Sequence, residues 1–310
     1  MGSVVISVDA ELGWGFHDVE PPTERLESAR VGWKRLAGLC SEYEIPATWA
    51  VVGHLFLRDC DGRHADHPRG PHWFRAERDA WADRPSLRYG PNLIADVASD
   101  PVGHEIGCHT FSHVLFGSEG TTADTARAEI EACLAATRAT DLSLQSFVFP
   151  RNCVGHRDVL AEYGFGCYRG AAPSEQTPLG KLTAATVGDP EPSLVTPTID
   201  EYGLVDIPAS LYLFSFEGRP RRLVTKLFAD PIVEHARRGI DAAARQDGVF
   251  HVWLHPNNLL GRPEIARMRA IFDYLDRRRD EVRIETMGQV ASRVRDETGS
   301  APEPATGSPD

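Results

Sequence analysis

The feature that most constrains the fold of this chain is the order of its first three segments. An apolar run from Val4 to Val8 is followed by a helical segment and then by a second apolar run. The first run is rich in β-branched residues and is typical of a strand buried on both faces. Residues 23–43 carry apolar side chains at helical spacing, and Thr23 is placed to cap that helix. Residues 47–52 form the next strand. A strand, a helix and a strand in this order predict a parallel sheet.

The same alternation continues along the chain. Apolar runs predict strands within 103–113 and at 145–149, 166–169, 203–207, 249–254 and 282–285. Helical spacing predicts helices at 92–98, 123–139, 157–163, 221–245, 262–279 and 287–297. Repeated strand–helix units are the pattern of an α/β fold.

Two long segments interrupt this alternation. Residues 59–91 are rich in Gly, Pro, His and Asp with scattered aromatics, and residues 171–200 are rich in Pro, Thr and Ser. The first segment is either a functional loop or a surface insertion that covers a barrel edge. Its aromatic residues lead us to expect it at the mouth of the active site. The tail at 298–310 has the composition of a disordered segment.

Composition narrows the possible partners and the location. A length of 310 residues suits one large α/β barrel, and a net charge of −12 disfavours nucleic acid as a partner. No stretch approaches the roughly 20 apolar residues of a membrane span, and the first residues lack the pattern of a signal peptide. We therefore expect a cytoplasmic protein. Its six dispersed cysteines fit reduced thiols.

Polar side chains occur at or just past the carboxyl end of many predicted strands. In parallel α/β folds this edge gathers the active site. The residues are Asp9, Glu11, His109, His113, Arg151, Asp206 and His255.

The histidines and the first two carboxylates form a candidate metal site. His109 and His113 are four positions apart, so a single helical turn after the strand would place both imidazoles on one face. Asp9 and Glu11 are two positions apart and share a face of an extended strand. Two imidazoles and one carboxylate suit a divalent cation, most readily zinc, and leave positions open for water and substrate. The other carboxylate is then free to act as a general base.

Three further residues complete the predicted chemistry. Arg151 is placed to hold the base carboxylate through a bidentate pair. His255 is placed to protonate a leaving amine, and Asp206 to orient it. His251 precedes His255 by four positions on the same side of the strand, and we expect it to be buried and structural.

Five segments occur in a recognisable order. They are Ser7 to Gly15 (SVDAELGWG), Ala47 to Gly53 (ATWAVVG), His104 to His113 (HEIGCHTFSH), Phe149 to Asn152 (FPRN) and Leu254 to Pro256 (LHP). Together they resemble the polysaccharide deacetylases of carbohydrate esterase family 4, which carry the NodB-like homology domain. The resemblance implies a distorted (β/α) barrel with seven parallel strands over residues 1–297, with 59–91 as an insertion. It also implies metal-dependent hydrolysis of N-acetyl groups on sugars.

Matched position by position, the resemblance implies a role for each candidate residue. The implied roles are base for Asp9, metal ligands for His109 and His113, support of the base for Arg151, general acid for His255 and tuning of that acid for Asp206. One departure concerns the third metal ligand, because Ala10 stands where the family commonly has a second aspartate. Glu11 follows one position later, as in a branch with Asp-x-Glu, and the shared strand face favours it as the ligand.

The leading hypothesis is therefore a zinc-dependent N-deacetylase that acts on an amino sugar, such as a cytoplasmic glycan precursor. The alternative among enzymes is a cyclic-amide hydrolase of the allantoinase-like branch, which a small closed pocket would favour. The alternative outside enzymes is a metal-free relative that only binds glycans.

Overall fold

Strand β1, at Ser3–Ala10, is an interior strand of a mostly parallel sheet and has a parallel neighbour on each side. The structure is a computed structural model that describes residues 1–18, 23–171, 194–215 and 230–299. The other strands in the described residues are β2 Thr48–Val51, β3 Glu105–Cys108, β4 Ser146–Val148, β5 Cys167–Arg169, β6 Thr198–Ile199, β7 Val205–Asp206, β8 Leu211–Tyr212, β9 Val249–Leu254 and β10 Arg283–Glu285. Their order is β6-β7-β5-β4-β3-β2-β1-β9-β8, with β10 beside the first residues of β1.

Helices connect these strands and cover the outside of the sheet. The longer ones are α1 Thr23–Glu42, α5 Pro91–Ala98, α6 Ala123–Thr137, α7 Arg157–Glu162, α8 Pro231–Arg245, α9 Arg262–Arg277 and α10 Met287–Thr298. Three four-residue helices, α2 Gly70–Trp73, α3 Arg75–Arg78 and α4 Pro85–Arg88, lie in the insertion. The insertion therefore contains regular structure that its irregular apolar spacing did not predict.

The segment 205–213 closes the sheet into a barrel, because it hydrogen-bonds to strands at both ends of the path. The amide of Ile207 donates to the carbonyl of Tyr168 in β5, and the amide of Leu213 donates to the carbonyl of Trp253 in β9, both at 3.0 Å. Strands β7 and β8 thus share one position of the barrel. Together with β1 to β5 and β9 they make seven positions, which confirms the predicted distorted barrel.

Alternate residues of each strand point into the barrel. Val5 of β1 packs inside with Val148, Val205 and Val249, whereas the neighbouring Val4 packs in the larger core beneath the helices. Helix α10 covers the amino-terminal end of the barrel. Its first amides donate to side chains of β2 and β3: Met287 to Thr48 Oγ1 at 2.8 Å and Gly288 to Glu105 Oε2 at 3.0 Å. Access to the barrel interior is therefore from the carboxyl ends of the strands.

The predicted boundaries differ from the structure in three places. Helix α10 extends to Thr298, so the predicted tail begins inside a helix; residues 300–310 lie outside the described residues. Helix α8 begins at Pro231, and the predicted residues 221–229 also lie outside the described part. Most of the predicted loop at 171–200 does too, but its end contains β6. Among the described residues, no helix combines the length and apolar character needed to cross a bilayer.

A chain of buried hydrogen bonds crosses the barrel from β9 to β5. His251 is fully buried, as predicted; its Nδ1 lies 3.1 Å from the carbonyl of Ile207 and its Nε2 lies 2.9 Å from Ser7 Oγ. Ser7 Oγ also accepts from Arg169 Nη1 at 3.1 Å, so its own proton points to His251. This arrangement requires a neutral imidazole. Burial, with the nearby charge of Arg169, lowers the pKa of His251 to about 3.

We predict that His251 makes the protein less stable in mild acid. Its folded pKa lies below its usual value near 6.5, so its contribution is fully present above that pH and is lost as the pH falls towards about 3. Between about pH 7 and about pH 5 the loss is about 2 kcal/mol. Urea unfolding of wild type and His251→Gln at both pH values measures it. The variant should lose less stability over this interval, and parallel losses would contradict the assignment.

Candidate metal centre and active site

Glu11, His109 and His113 converge at the carboxyl end of the barrel. Glu11 Oε1 lies 3.2 Å from His109 Nε2 and 3.1 Å from His113 Nε2, and all three side chains are buried. Burial alone would raise the pKa of Glu11, but the neighbouring histidines reverse this and hold it well below its usual value. The sequence analysis named these three residues as metal ligands, and the structure brings them together.

The loop after β3 positions the two histidines without a helical turn. Thr110 and His113 have φ of +59° and +64°, so the chain bends through the left-handed region instead of winding into the predicted turn. The buried carboxylate of Glu129 holds this loop. Its Oε2 accepts from the amides of Phe111 and Ser112 at 2.7 and 2.8 Å. The prediction of a helical turn was therefore wrong, although the expected proximity of the imidazoles is observed.

The donor set fits a divalent cation. His109 Nδ1 lies 2.7 Å from the carbonyl of Val148, so this nitrogen carries the proton and leaves the lone pair of Nε2 facing Glu11. One carboxylate oxygen and two imidazole nitrogens lie within 4.8 Å of one another. Such a set is typical of a catalytic zinc site, which keeps positions open for water and substrate.

Asp9 lies beside this centre in a buried ion pair. Arg169 donates from Nη1 to Oδ1 at 2.6 Å and from Nη2 to Oδ2 at 2.8 Å, and both side chains are at most 3% exposed. Burial alone would raise the pKa of Asp9; the charge and hydrogen bonds of Arg169 outweigh it and lower the pKa. Asp9 is therefore ionised at neutral pH.

The predicted partner of Asp9 was wrong. Arg151 lies in a 3₁₀ turn at Pro150–Asn152, with φ of +53°, and its exposed guanidinium pairs with Asp18 at 2.5 Å. Arg169 holds Asp9 instead. It is the last residue of β5 and points into the barrel, so the position of a basic residue at a strand end, combined with the strand's alternation, could have identified it.

His255 faces the two carboxylates from the end of β9. Its Nε2 lies 3.6 Å from Glu11 Oε1 and 3.9 Å from Asp9 Oδ2. Its Nδ1 lies 3.4 Å from the hydroxyl of Tyr212, which is 3.2 Å from Asn258 Oδ1. Tyr212 therefore occupies the place predicted for the residue that orients His255.

Asp206 does not reach His255. Asp206 is paired with Tyr168 of β5. Its neighbours in the chain, Val205 and Ile207, point into the barrel, so Asp206 points the other way. The alternation of the strand therefore turns Asp206 to the outer face, where burial raises its pKa. The predicted orienting role of Asp206 is wrong for this reason.

The backbone approaches Glu11 closely at Gly15. A Cβ atom at this position would lie 1.9 Å from Glu11 Oε2. Any side chain here would displace the Glu11 carboxylate, although the backbone conformation itself would accept one.

The insertion packs against the loop that carries the histidines. Trp73 Nε1 donates to the carbonyl of Ser112 at 3.1 Å, and its ring lies 4.4 Å from that of His17. The ring of His17 in turn lies 5.9 Å from that of His113. A cavity of about 610 Å³ is lined by residues including Phe16, His17, His72, Trp73 and Trp81, and of these His17 is the one whose ring lies near His113.

The fold is shared with solved structures of low sequence identity. A structure from Mycobacterium smegmatis, named as a polysaccharide deacetylase, aligns with a TM-score of 0.63 and 18% identity over 99% of this chain and 94% of its own. A second structure with this description, from Pseudomonas aeruginosa PAO1, aligns with a TM-score of 0.61 and 15% identity over 95% of this chain and 91% of its own. The structure of Puue allantoinase aligns with a TM-score of 0.61 and 15% identity over 96% of this chain and 91% of its own.

No protein-family model and no curated sequence matches the chain. At identities this low the structural likeness establishes the fold alone. The chain therefore has the NodB-like polysaccharide deacetylase fold that its motifs resemble.

We predict that Arg169 and Arg151 contribute very differently to stability. Arg169→Met leaves the Asp9 carboxylate buried without a partner, which should cost about 3–5 kcal/mol. Arg151→Met removes an exposed pair and should cost less than about 1 kcal/mol. Urea unfolding of the two variants at neutral pH makes the comparison. Equal losses would show that Arg169 does not hold a buried charge.

Proposed function

We propose that the protein is a metal-dependent hydrolase that removes the N-acetyl group from an amino sugar. The observation that carries this proposal is the meeting of Glu11, His109 and His113 with Asp9 and His255 at the open end of the barrel. The first three supply a ligand set, and the last two supply an ionised carboxylate and an imidazole. Amide hydrolysis needs both a base for water and an acid for the leaving nitrogen.

Asp9 acts as the general base in this proposal. It is ionised because of Arg169, and it is buried beside the metal ligands. The bidentate hold of Arg169 fixes the carboxylate plane, so that Oδ2 faces the same space as His255 Nε2. Asp9 would take a proton from water at this oxygen.

His255 acts as the general acid. Its Nε2 faces the centre, its Nδ1 lies 3.4 Å from the hydroxyl of Tyr212, and its backbone amide donates to Asn258 Oδ1 at 2.8 Å. It would give its Nε2 proton to the amine nitrogen as the carbon–nitrogen bond breaks. A divalent cation on Glu11, His109 and His113, most readily zinc, would supply Lewis-acid polarisation of the carbonyl and a lower pKa for water.

The neighbouring cavity bears on the size of the substrate. At about 610 Å³ it falls within the range of small-molecule sites, and Trp73 and Trp81 give it aromatic walls. We infer that the substrate is a short N-acetylated glycan precursor, whose sugar ring can pack against an aromatic face.

A second candidate is hydrolysis of a cyclic amide. The likeness to Puue allantoinase equals that to the Pseudomonas aeruginosa structure in TM-score, and the adjoining cavity is of small-molecule size. This reaction would use the same ligands but a planar ring substrate. The two candidates therefore differ in the product that is formed.

One experiment separates these functions. The purified protein, loaded with zinc, is incubated with a panel of N-acetylated mono- and disaccharides and with cyclic ureides. Release of acetate supports the deacetylase, and ring opening without acetate supports the second candidate. Neither product, at full occupancy of the Glu11–His109–His113 site, would falsify both.

Asp9→Asn should lower turnover by about 10²–10⁴ while the metal stays bound. The amide keeps the shape of the carboxylate but cannot accept a proton. Acetate release and metal content are measured on the same sample. Asp206→Asn is the matched control, because it makes the same change on the outer face of the barrel. Near-normal activity of Asp9→Asn would transfer the role of base to another group.

His255→Ala should reduce kcat most for substrates whose amine is a poor leaving group. The variant loses the proton donor but none of the three proposed metal ligands, so metal content should not change. Kinetics with a series of N-acyl substrates of graded amine basicity tests this. If wild type and variant respond identically to amine basicity, His255 is not the acid.

A further inference from the structure

A second cluster of metal-binding residue types lies between the insertion and β2. It consists of His54, Cys60, His64 and Glu77, whose donor atoms lie within 4.8 Å of one another. His54 belongs to a 3₁₀ turn directly after β2, and Glu77 belongs to α3. None of the four takes part in the chemistry proposed above.

The distances around the sulfur fit a tetrahedral ion. Cys60 Sγ lies 3.4 Å from His54 Nε2 and 3.7 Å from His64 Nε2. It also lies 3.4 Å from Glu77 Oε1. Ligands at zinc bond lengths in a tetrahedron are about 3.3–3.7 Å apart, so these separations need no adjustment. His54 Nε2 lies 2.9 Å from Glu77 Oε1, and His64 Nε2 lies 2.8 Å from Glu77 Oε2. Each imidazole would move about 0.5 Å away from the carboxylate to make room for the ion.

Outer hydrogen bonds orient the donor atoms. His54 Nδ1 lies 3.1 Å from the carbonyl of Arg88, which leaves its Nε2 lone pair directed into the cluster. Arg88 Nε donates to Glu77 Oε1 at 3.0 Å, and Arg88 Nη2 to Cys60 Sγ at 3.3 Å. The hydroxyl of Tyr89 is 3.3 Å from the same sulfur. Such secondary contacts commonly fix the ligands of metal sites.

The charges of the cluster also suit a divalent cation. Arg88 Nη2 donates to Cys60 Sγ at 3.3 Å, so a fixed positive charge beside the sulfur favours its ionised form. The sulfur is therefore available as the thiolate that zinc binds. The carboxylate of Glu77, which accepts from Arg88 Nε at 3.0 Å, supplies a second negative charge.

We propose that His54, Cys60, His64 and Glu77 bind a structural zinc ion. All four ligands come from the protein, which is the pattern of a closed structural site rather than of a catalytic one. Because this proposal uses no residue of the active site, it stands or falls independently of the proposed function.

The alternative is a metal-free ion-pair network. In that case His64, whose pKa is raised to about 9 despite burial, would be a cation paired with Glu77. A network of this kind needs no metal and would leave Cys60 open to alkylation. The two possibilities therefore predict different behaviour of one sulfur atom.

A zinc ion here would fix the insertion to the barrel. The helices of the insertion are only four residues long, and none of its residues forms a strand of the sheet. The ring of His64 lies 4.2 Å from that of Phe74. The residue before Phe74 is Trp73, which donates a hydrogen bond to the loop that carries His109 and His113. The ion would thus hold the wall of the cavity in place without entering it.

Cobalt(II) titration of the metal-stripped, full-length protein tests the proposal. Cobalt bound to a thiolate absorbs in the near ultraviolet, whereas the Glu11–His109–His113 site offers no sulfur. Wild type should bind two equivalents and show this band. His113→Ala should keep the band and lose one equivalent, and Cys60→Ser should lose the band with the other equivalent. Cys153→Ser, which changes another partly buried free cysteine, should retain both.

A second measurement avoids variants that fail to fold. Zinc added to the wild-type protein should protect Cys60 from iodoacetamide, as located by peptide mass analysis, while the labelling of Cys153 should not change. A wild-type cobalt spectrum without a thiolate band, or Cys60 labelling that zinc does not alter, would overturn the proposal and leave the ion-pair network.

Discussion

The buried pair of Asp9 and Arg169 fixes the shape on which the site depends. Four strand spacings separate β1 from β5, so in a flat sheet these strands would lie about 19 Å apart. The two side chains nevertheless meet at 2.6 and 2.8 Å, because the sheet curls around them. If either strand slipped by one residue, its charged side chain would point outward into the apolar layer beneath the helices. The pair thereby specifies register and curvature, whatever its net contribution to stability.

Much of this arrangement was predictable from local patterns. The β-branched run of β1 and the helical spacing of α1 set the parallel sheet, and the alternation of Asp9 and Glu11 placed both in one pocket. The errors concern what local patterns do not encode. Arg151 and Asp206 both stand at strand ends, but a left-handed turn directs the first outward and the strand phase directs the second outward. The strand-end position and inward phase of Arg169 were readable in the sequence, but its pairing with Asp9, 160 positions earlier, was not.

The insertion shows a different limit of sequence reasoning. Its irregular spacing predicted a loop and missed its three four-residue helices. Its aromatics predicted a place at the mouth of the active site, and Trp73 lies against the loop that carries the histidines. The grouping of Cys60 with His54 and Glu77 depends on three turns whose geometry no periodicity describes. The residues of this cluster are close in space, but in the sequence they are spread over a segment that has no repeating pattern.

The position of β1 has a consequence for the synthesis of the protein. This first strand is flanked by β2 and β9, and Ser7 meets His251 across 244 positions of the chain. During translation β1 must therefore wait, with the backbone groups of one edge unpaired, until the residues of β9 have left the ribosome. Such long-range pairing slows folding and prolongs exposure to aggregation. Because His255 follows β9, a nascent chain that ends before this strand would carry the three proposed metal ligands yet lack the proposed proton donor, so the candidate site would be complete only after β9 has been made.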